Sequence, residues 1–328
     1  MIDEWDRCHH RLSPSVLFSS VCWHNRFALA FLLPNSEVSA ARIFLLTLFA
    51  MIAFASNSLL CRAALKETGI DAASFTFIRI FSGAVALWLI MKARKRPSSV
   101  AAVYDRRING NWISAFALFT YAATFSFAYD SLSAGTGALL LFGAVQATMI
   151  LWGFRKGERL HAIQIAGLVV AVAGLVVLVF PGLSAPPLIG SMLMLSAGIA
   201  WGVYSLRGKA VRDVTASTAG NFLRAVPFAA LVSVVMLPKM HLDSLGATYA
   251  VISGAITSGL GYVIWYAALA GLKAASAATV QLSVPVLAAT GGILLLGEPI
   301  TLRYAIASIA VLGGIFLVVI EKRSASSA

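Results

Sequence analysis

The chain has 328 residues, 59% of them hydrophobic and 12% charged, whereas a soluble domain carries about 25% charged and 45–50% apolar residues. The apolar residues fall into long runs separated by short polar joints, which excludes a water-soluble fold. The net charge of +12 does not indicate nucleic acid either. The basic residues cluster in joints, as in Lys92-Ala93-Arg94-Lys95-Arg96 and Arg155-Lys156, and do not form one face of a soluble body.

Residues 1–39 differ in character from the rest of the chain. Their single apolar run, Phe27 to Leu33, is barely long enough for a signal peptide, and Pro34-Asn35-Ser36-Glu37 is a poor cleavage context. A disordered or weakly interfacial cytoplasmic tail is expected, or a start of translation near Val38. The three cysteines, Cys8, Cys22 and Cys61, are odd in number and lack metal-ligand spacing, so no disulfide framework or metal site is expected.

A bilayer core of about 30 Å needs about 20 apolar residues per helix. That predicts ten spans: residues 42–61, 72–91, 112–129, 134–154, 162–180, 188–206, 216–237, 247–270, 274–296 and 301–320. The fold class expected is an all-α polytopic membrane protein with a short C-terminal tail at 321–328. The first span carries Asn57 and Ser58. The second carries Arg79 and the seventh Arg224, each about 10 Å from its helix start at 1.5 Å per residue. The third carries Tyr121, Phe125 and Tyr129, which share one face at a spacing of four; Tyr129, next to the joint, reads as an interfacial anchor. The fourth has Gln146 and Thr148, the sixth Trp201 and Tyr204, the eighth Tyr262, Trp265 and Tyr266, and the ninth Gln281 and Ser283. Gly198 and Gly202 give the sixth span a small face for close packing.

A glutamine facing lipid is costly, so Gln146 and Gln281 must face protein or a water-filled cavity. The candidates for binding a small-molecule substrate are Asn57, Tyr121, Phe125, Gln146, Trp201, Tyr204, Tyr262, Trp265, Gln281 and Ser283. An intramembrane arginine costs about 2.5–3.5 kcal/mol to insert. Arg79 and Arg224 either hold an anionic group of a solute or cap carbonyls and snorkel to the interface. Their matched placement in the two halves favours the structural role. Glu158 and Glu298, at helix boundaries, are expected to cap the fifth and tenth helices.

With both termini cytoplasmic, the inner joints hold thirteen Lys and Arg and the terminal flanks three more. The outer joints hold Arg62, Lys66, Lys239 and Arg303. The positive-inside rule fixes this orientation. Ten spans also divide into two fives. Gly157-Glu158 recurs as Gly297-Glu298, Gly174 as Gly314, and Phe77-Ile78-Arg79 as Phe222-Leu223-Arg224. An odd-numbered unit repeated in tandem inserts upside down the second time.

Together the ten spans, the duplicated unit, Ile199-Ala200-Trp201-Gly202, Pro285, Leu296-Gly297-Glu298-Pro299-Ile300-Thr301 and Gly313-Gly314 resemble the EamA branch of the drug/metabolite transporter superfamily. Repeats at 42–180 and 188–320 would carry that likeness. Val145, where Pro285 sits in the second half, and Phe54-Ala55, in place of a Trp-Gly pair, depart from it. The resemblance implies a carrier in the bacterial inner membrane that exports or exchanges amino acids or other small metabolites through a central cavity. The alternatives are a passive channel and a non-transporting scaffold. No catalysis or cofactor is expected: the acidic residues and histidines lie in the tail or at joints, and no Gly-x-x-x-x-Gly-Lys-Ser/Thr loop exists. The oligomeric state stays open.

The orientation is directly testable. Single cysteines in the 92–111 joint should resist an impermeant thiol reagent in intact cells, and those at 182–187 should react. The reverse pattern contradicts both the orientation and the repeat.

Overall fold

The computed structural model describes residues 40–93, 109–155, 157, 161–180, 185–208, 211, 213–269, 272 and 280–324. The expectations for residues 1–39, Glu158 and the end of the C-terminal tail lie outside these. All regular structure among the described residues is helical: α1 Ala40–Glu67, α2 Ala72–Ala93, α3 Trp112–Tyr129, α4 Ala134–Arg155, α5 Ala162–Val179, α6 Leu188–Gly208, α7 Val214–Val235, α8 Ser244–Leu269, α9 Ser283–Leu296 and α10 Leu302–Ser324, with one 3₁₀ turn at Leu237–Lys239. Eight of these, α1 to α8, are long and apolar enough to cross a membrane. The other two, α9 and the Leu302–Leu317 part of α10, are shorter apolar helices. The protein is therefore a polytopic α-helical membrane protein.

Several helix starts are set by the sequence. Asp71, Asn111, Asp213 and Asp243 each precede an apolar run, and each side chain accepts a hydrogen bond from an amide two or three residues on. This is the expected behaviour of Asp and Asn at a helix N-cap. The surface is the reverse of a soluble protein's: Leu294 and Leu302 are 76% and 77% exposed, as suits side chains that face acyl chains.

Most of the packing crosses between residues 40–180 and residues 188–324. The main partners are α5 with α10, α3 with α6, α4 with α6, α2 with α7, α2 with α8, α3 with α7, α4 with α9, and α1 with both α8 and α9. Small residues permit it. A methyl group at Gly198 would meet the Leu141 carbonyl at 2.5 Å, and one at Gly202 would meet Thr148 at 2.9 Å, so the small face of α6 seats α4 as its spacing predicts.

Three details differ from the sequence reading. First, α1 continues past residue 61, which puts Arg62 and Lys66 inside the helix. The extra turn takes cations to carbonyls at other helix ends: Arg62 Nη1 donates to Tyr129 and Asp130 at the end of α3 (2.9 and 3.1 Å), and Lys66 to Leu296 at the end of α9 (2.9 Å). Cations are favoured at helix C-termini.

Second, Glu298 does not cap α10. Gly297 ends α9 in the left-handed conformation (φ 60°) and the Glu298 amide closes on the Gly292 carbonyl. The Glu298 carboxylate then accepts from the Ala134 amide at the start of α4 (2.8 Å) and pairs with Arg62 Nε (3.1 Å). Thr301 Oγ1 serves the α10 amide of Tyr304 instead. Third, Tyr129 is no interfacial anchor. It is fully buried, and its hydroxyl donates to the Ala134 carbonyl.

Asp71 does more than cap α2, since its Oδ2 also accepts from the His241 amide (2.9 Å). Burial alone would raise this carboxyl, but hydrogen bonds from Ser74, His241 and Ala73 outweigh it and hold it below its ordinary value. A depressed carboxyl stabilises the fold above its unfolded pKa and loses that contribution as pH falls through the folded value. Asp71→Ala should therefore destabilise the protein by about 0.5–2 kcal/mol at neutral pH. The difference in melting temperature from the wild type should shrink below about pH 4. An unchanged melting temperature at pH 7 would show that this cap carries no weight.

Candidate functional site

Where the two sets of helices meet, α1, α3, α6 and α8 bring aromatic rings together. Phe54 of α1 stands edge-on to Trp201, Tyr262 and Trp265, with centroids 6.1, 6.0 and 5.8 Å apart. Trp201 lies 4.9 Å from Tyr121 and 4.7 Å from Tyr262, and Tyr121 lies 5.4 Å from Phe125. Edge-on and tilted contacts suit the charge distribution of aromatic rings. Inside them is a cavity lined by Phe54, Asn57, Ser58, Tyr121, Phe125, Leu141, Phe142, Trp201 and Tyr262, with about 10 Å³ free. That is close to the space one water needs, so the box is closed here.

A polar network runs along one side of the box. Asn57 Nδ2 donates to the Tyr121 hydroxyl (3.2 Å), and Asn57 Oδ1 accepts from Ser253 Oγ (2.6 Å) and Thr257 Oγ1 (3.2 Å). Arg79 Nη2 donates to the same Tyr121 hydroxyl (3.0 Å) and Arg79 Nε to Ser258 Oγ (3.2 Å). The guanidinium carbon lies 5.2 Å from the Tyr121 ring centre and 4.8 Å from that of Phe125, within cation–π range. Arg79 is 1% exposed, and its Nη1 has no hydrogen-bond partner. The hydroxyls of Ser58 and Tyr262, both in the cavity wall, are likewise buried and unpartnered.

The three hydroxyls of α8 reach this network because residues Ser253–Leu260 are wound as a π-helix. Such segments are rare and recur at functional sites. Gly254 is required there by close approach, since a methyl group at this position would lie 2.0 Å from the Arg79 carbonyl.

Five of the ten sequence candidates therefore meet in the cavity wall: Asn57, Tyr121, Phe125, Trp201 and Tyr262. Tyr204 and Trp265 pack behind it, against Trp201 and Phe54. Gln146 is buried with an unpartnered amide nitrogen, Gln281 is buried, and Ser283 donates to the Val280 carbonyl, but none of the three lines the cavity. The arginines divide. Arg224 donates to the Gly220 carbonyl of its own helix (3.0 Å), the capping arrangement expected of both. Arg79 neither caps a carbonyl nor snorkels. Sequence reasoning missed Phe54 as a wall, and it missed Ser253, Thr257 and Ser258. Their signal was a run of hydroxyls and glycines, Ser253-Gly254-Ala255-Ile256-Thr257-Ser258-Gly259, in mid-span.

A larger cavity, about 180 Å³, lies at helix ends and is lined by Ser133, Thr136, Glu298, Thr301 and Tyr304 among others. Its carboxylate is already committed to Arg62 and the Ala134 amide. The smaller central cavity has two buried hydroxyls without a hydrogen-bond partner in its wall, Ser58 and Tyr262, and is therefore the stronger candidate. Among the described residues, no three His, Cys, Asp or Glu side chains converge to hold a metal.

The profile of the EamA-like transporter family matches the chain twice, over residues 41–180 and again over 188–320. The chain belongs to that family. An uncharacterised protein of Pseudomonas aeruginosa is 55% identical to this EamA chain over 84% of its length and 94% of the relative's. A probable amino-acid metabolite efflux pump of Escherichia coli is 26% identical over 63% of this chain and 76% of its own. An uncharacterised transporter of Archaeoglobus fulgidus is 25% identical over 83% of this chain and 96% of its own. One solved crystal structure aligns with a TM-score of 0.59 at 18% identity, covering 87% of this chain and 99% of that one, which establishes likeness of fold alone. The EamA chain is thus a transporter-family membrane protein with a closed aromatic and polar box at its centre.

Proposed function

We propose that the protein is a secondary transporter that exports or exchanges amino acids or other small metabolites across the bacterial inner membrane, by exposing the central box to each side in turn. The observation that carries this reading is the box itself: buried rings and donors contributed by both parts of the chain, closed to about one water. The Escherichia coli relative named as a probable amino-acid metabolite efflux pump supports the substrate class.

Ten spans in two inverted repeats are the architecture we infer. The double match to one family profile supports it, and so does the packing. Exchanging each helix of α1–α5 with its counterpart five places on turns the pairs α3–α6, α4–α6 and α2–α8 into α8–α1, α9–α1 and α7–α3, all of which are present. It leaves α2–α7, α4–α9 and α5–α10 unchanged. An odd-numbered repeat places its copies in opposite orientation, which is the basis of alternating access. In that frame both termini are cytoplasmic, and the Arg62–Glu298 pair holds α1, α4 and α9 together at the outer end.

The box lining contains no Asp, Glu or His, and Arg79 beside it cannot give up its proton in the accessible range. Transport should therefore run on the solute's own gradient or by exchange, with no obligatory proton carrier. The test is purified protein in liposomes loaded with radiolabelled amino acids. Flux should saturate and be stimulated by unlabelled solute on the opposite side. Collapsing an imposed pH gradient with an ionophore should leave the initial rate nearly unchanged. Non-saturating flux would indicate a channel, and no flux across the amino-acid set a scaffold. A several-fold fall on collapse, abolished by Glu298→Gln or Glu158→Gln, would make a carboxylate the coupling site.

A further inference from the structure

A cation in an apolar interior is unfavourable unless an anion or a full set of acceptors meets it. Arg79 has neither. Its five donors find two hydroxyl acceptors, Tyr121 and Ser258, and its Nη1 finds none. No carboxylate of the described residues pairs with it; the buried acid Glu298 is committed to Arg62 and the Ala134 amide. Two further buried side chains without partners, Ser58 and Tyr262, end in hydroxyls on the wall of the same cavity. The guanidinium itself lies against two other walls, Tyr121 and Phe125. Two unmet hydroxyls in the cavity wall, with an unmet guanidinium nitrogen on a residue packed against two more of its lining rings, call for an acceptor.

The charge and the walls limit what that acceptor can be. One positive charge suits a monoanion, and a guanidinium edge with two hydroxyls suits the two oxygens of a carboxylate. Apart from Asn57, which is committed to Tyr121, Ser253 and Thr257, the remaining lining of Phe54, Trp201, Leu141 and Phe142 offers apolar surface to the body of the ligand. No acidic side chain in the lining waits for an ammonium group.

We propose that Arg79, with the hydroxyls of Tyr262 and Ser58, is the anchor for the carboxylate of an apolar organic monocarboxylate in the central box, and that an α-ammonium group is not required. This rests on the transport reading above and deepens it: the solutes carried are carboxylates, amino acids among them, and not free amines. The cavity as it stands admits about a water, so the ligand enters only when its wall opens. Until then Arg79 is held by Tyr121, Ser258 and ring faces alone.

The test separates head group from body. Purified full-length protein in detergent is titrated with phenylalanine, 3-phenylpropionate, phenylalaninamide and phenethylamine, and thermal stabilisation is read. Phenylalanine and 3-phenylpropionate should both stabilise; the amide and the amine should not. Inorganic phosphate, which has charge without an apolar body, should not stabilise either. A charge-assisted hydrogen bond is worth about ten-fold or more in affinity. Arg79→Gln should thus weaken both carboxylates by at least about ten-fold, and Tyr262→Phe by several-fold. Tyr262→Phe and Ser58→Ala each delete one hydroxyl and little volume, so they keep the test sound if Arg79→Gln fails to fold. Stabilisation by the amide or amine equal to that by the carboxylates overturns the proposal. So does stabilisation by none of the four, or carboxylate affinity unchanged in Tyr262→Phe and Arg79→Gln. Binding in the proposed order without flux in the liposomes would leave the anchor standing and refute the transport reading instead. Flux that favours amines would do the opposite.

Discussion

In the bilayer interior every polar group must find its partner within the protein, because the lipid offers none. Arg79 is where this constraint presses hardest: a fully buried guanidinium on α2, held by the hydroxyls of Tyr121 and Ser258 and by two ring faces. The Tyr121 hydroxyl also accepts from Asn57, and Asn57 in turn takes the hydroxyls of Ser253 and Thr257. One charge on α2 thereby ties together α1, α3 and the π-helical part of α8. The aromatic box is built on that frame, since Tyr121 belongs to both the network and the wall.

The ends of the helices are joined by a separate arrangement. Arg62 and Lys66 on the last turns of α1 bind carbonyls at the ends of α3 and α9, and Glu298 spans from Arg62 to the start of α4. These groups lie on helix termini, where charge, dipole and unpaired backbone groups reinforce one another. The middle of the molecule is joined differently, through glycines at Gly198, Gly202 and Gly254 that let backbones approach closely. A molecule so built has a polar tie across one end and a centre of rings and hydroxyls. Rings and hydroxyls can change partners at lower cost than buried ion pairs.

Much of this is legible in the residues. Apolar run length and Asp or Asn at the joints place nearly all the helices, and five of ten site candidates meet in the cavity wall. The failures share a physical cause. Periodicity reports the faces of one helix and is silent on which neighbour a face meets. Position alone assigns Glu298 to the next helix, because the left-handed turn at Gly297, which redirects it toward α4, concerns residues 164 positions away. Tyr129 sits beside a joint, yet the short α3–α4 turn folds Ala134 over it. The Ser-Thr-Ser cluster of α8 has the wrong spacing for one face of an α-helix, and only the π-helical winding brings all three hydroxyls inward. Arg79 and Arg224 match in sequence position but not in surroundings: one reaches the centre, the other a carbonyl of its own helix.

The central claim is that the closed box is the place where a solute is held. Ser58 tests it most directly, because the residue is 1% exposed, lines the cavity and has a hydroxyl without a hydrogen-bond partner. The measurement is the rate at which a small neutral methanethiosulfonate modifies Ser58→Cys in liposomes, with the unsubstituted chain as background. The account predicts that the introduced thiol is modified although it is buried, that modification stops flux, and that a transported carboxylate slows the modification. No modification above background, or modification that leaves flux unchanged, would contradict it.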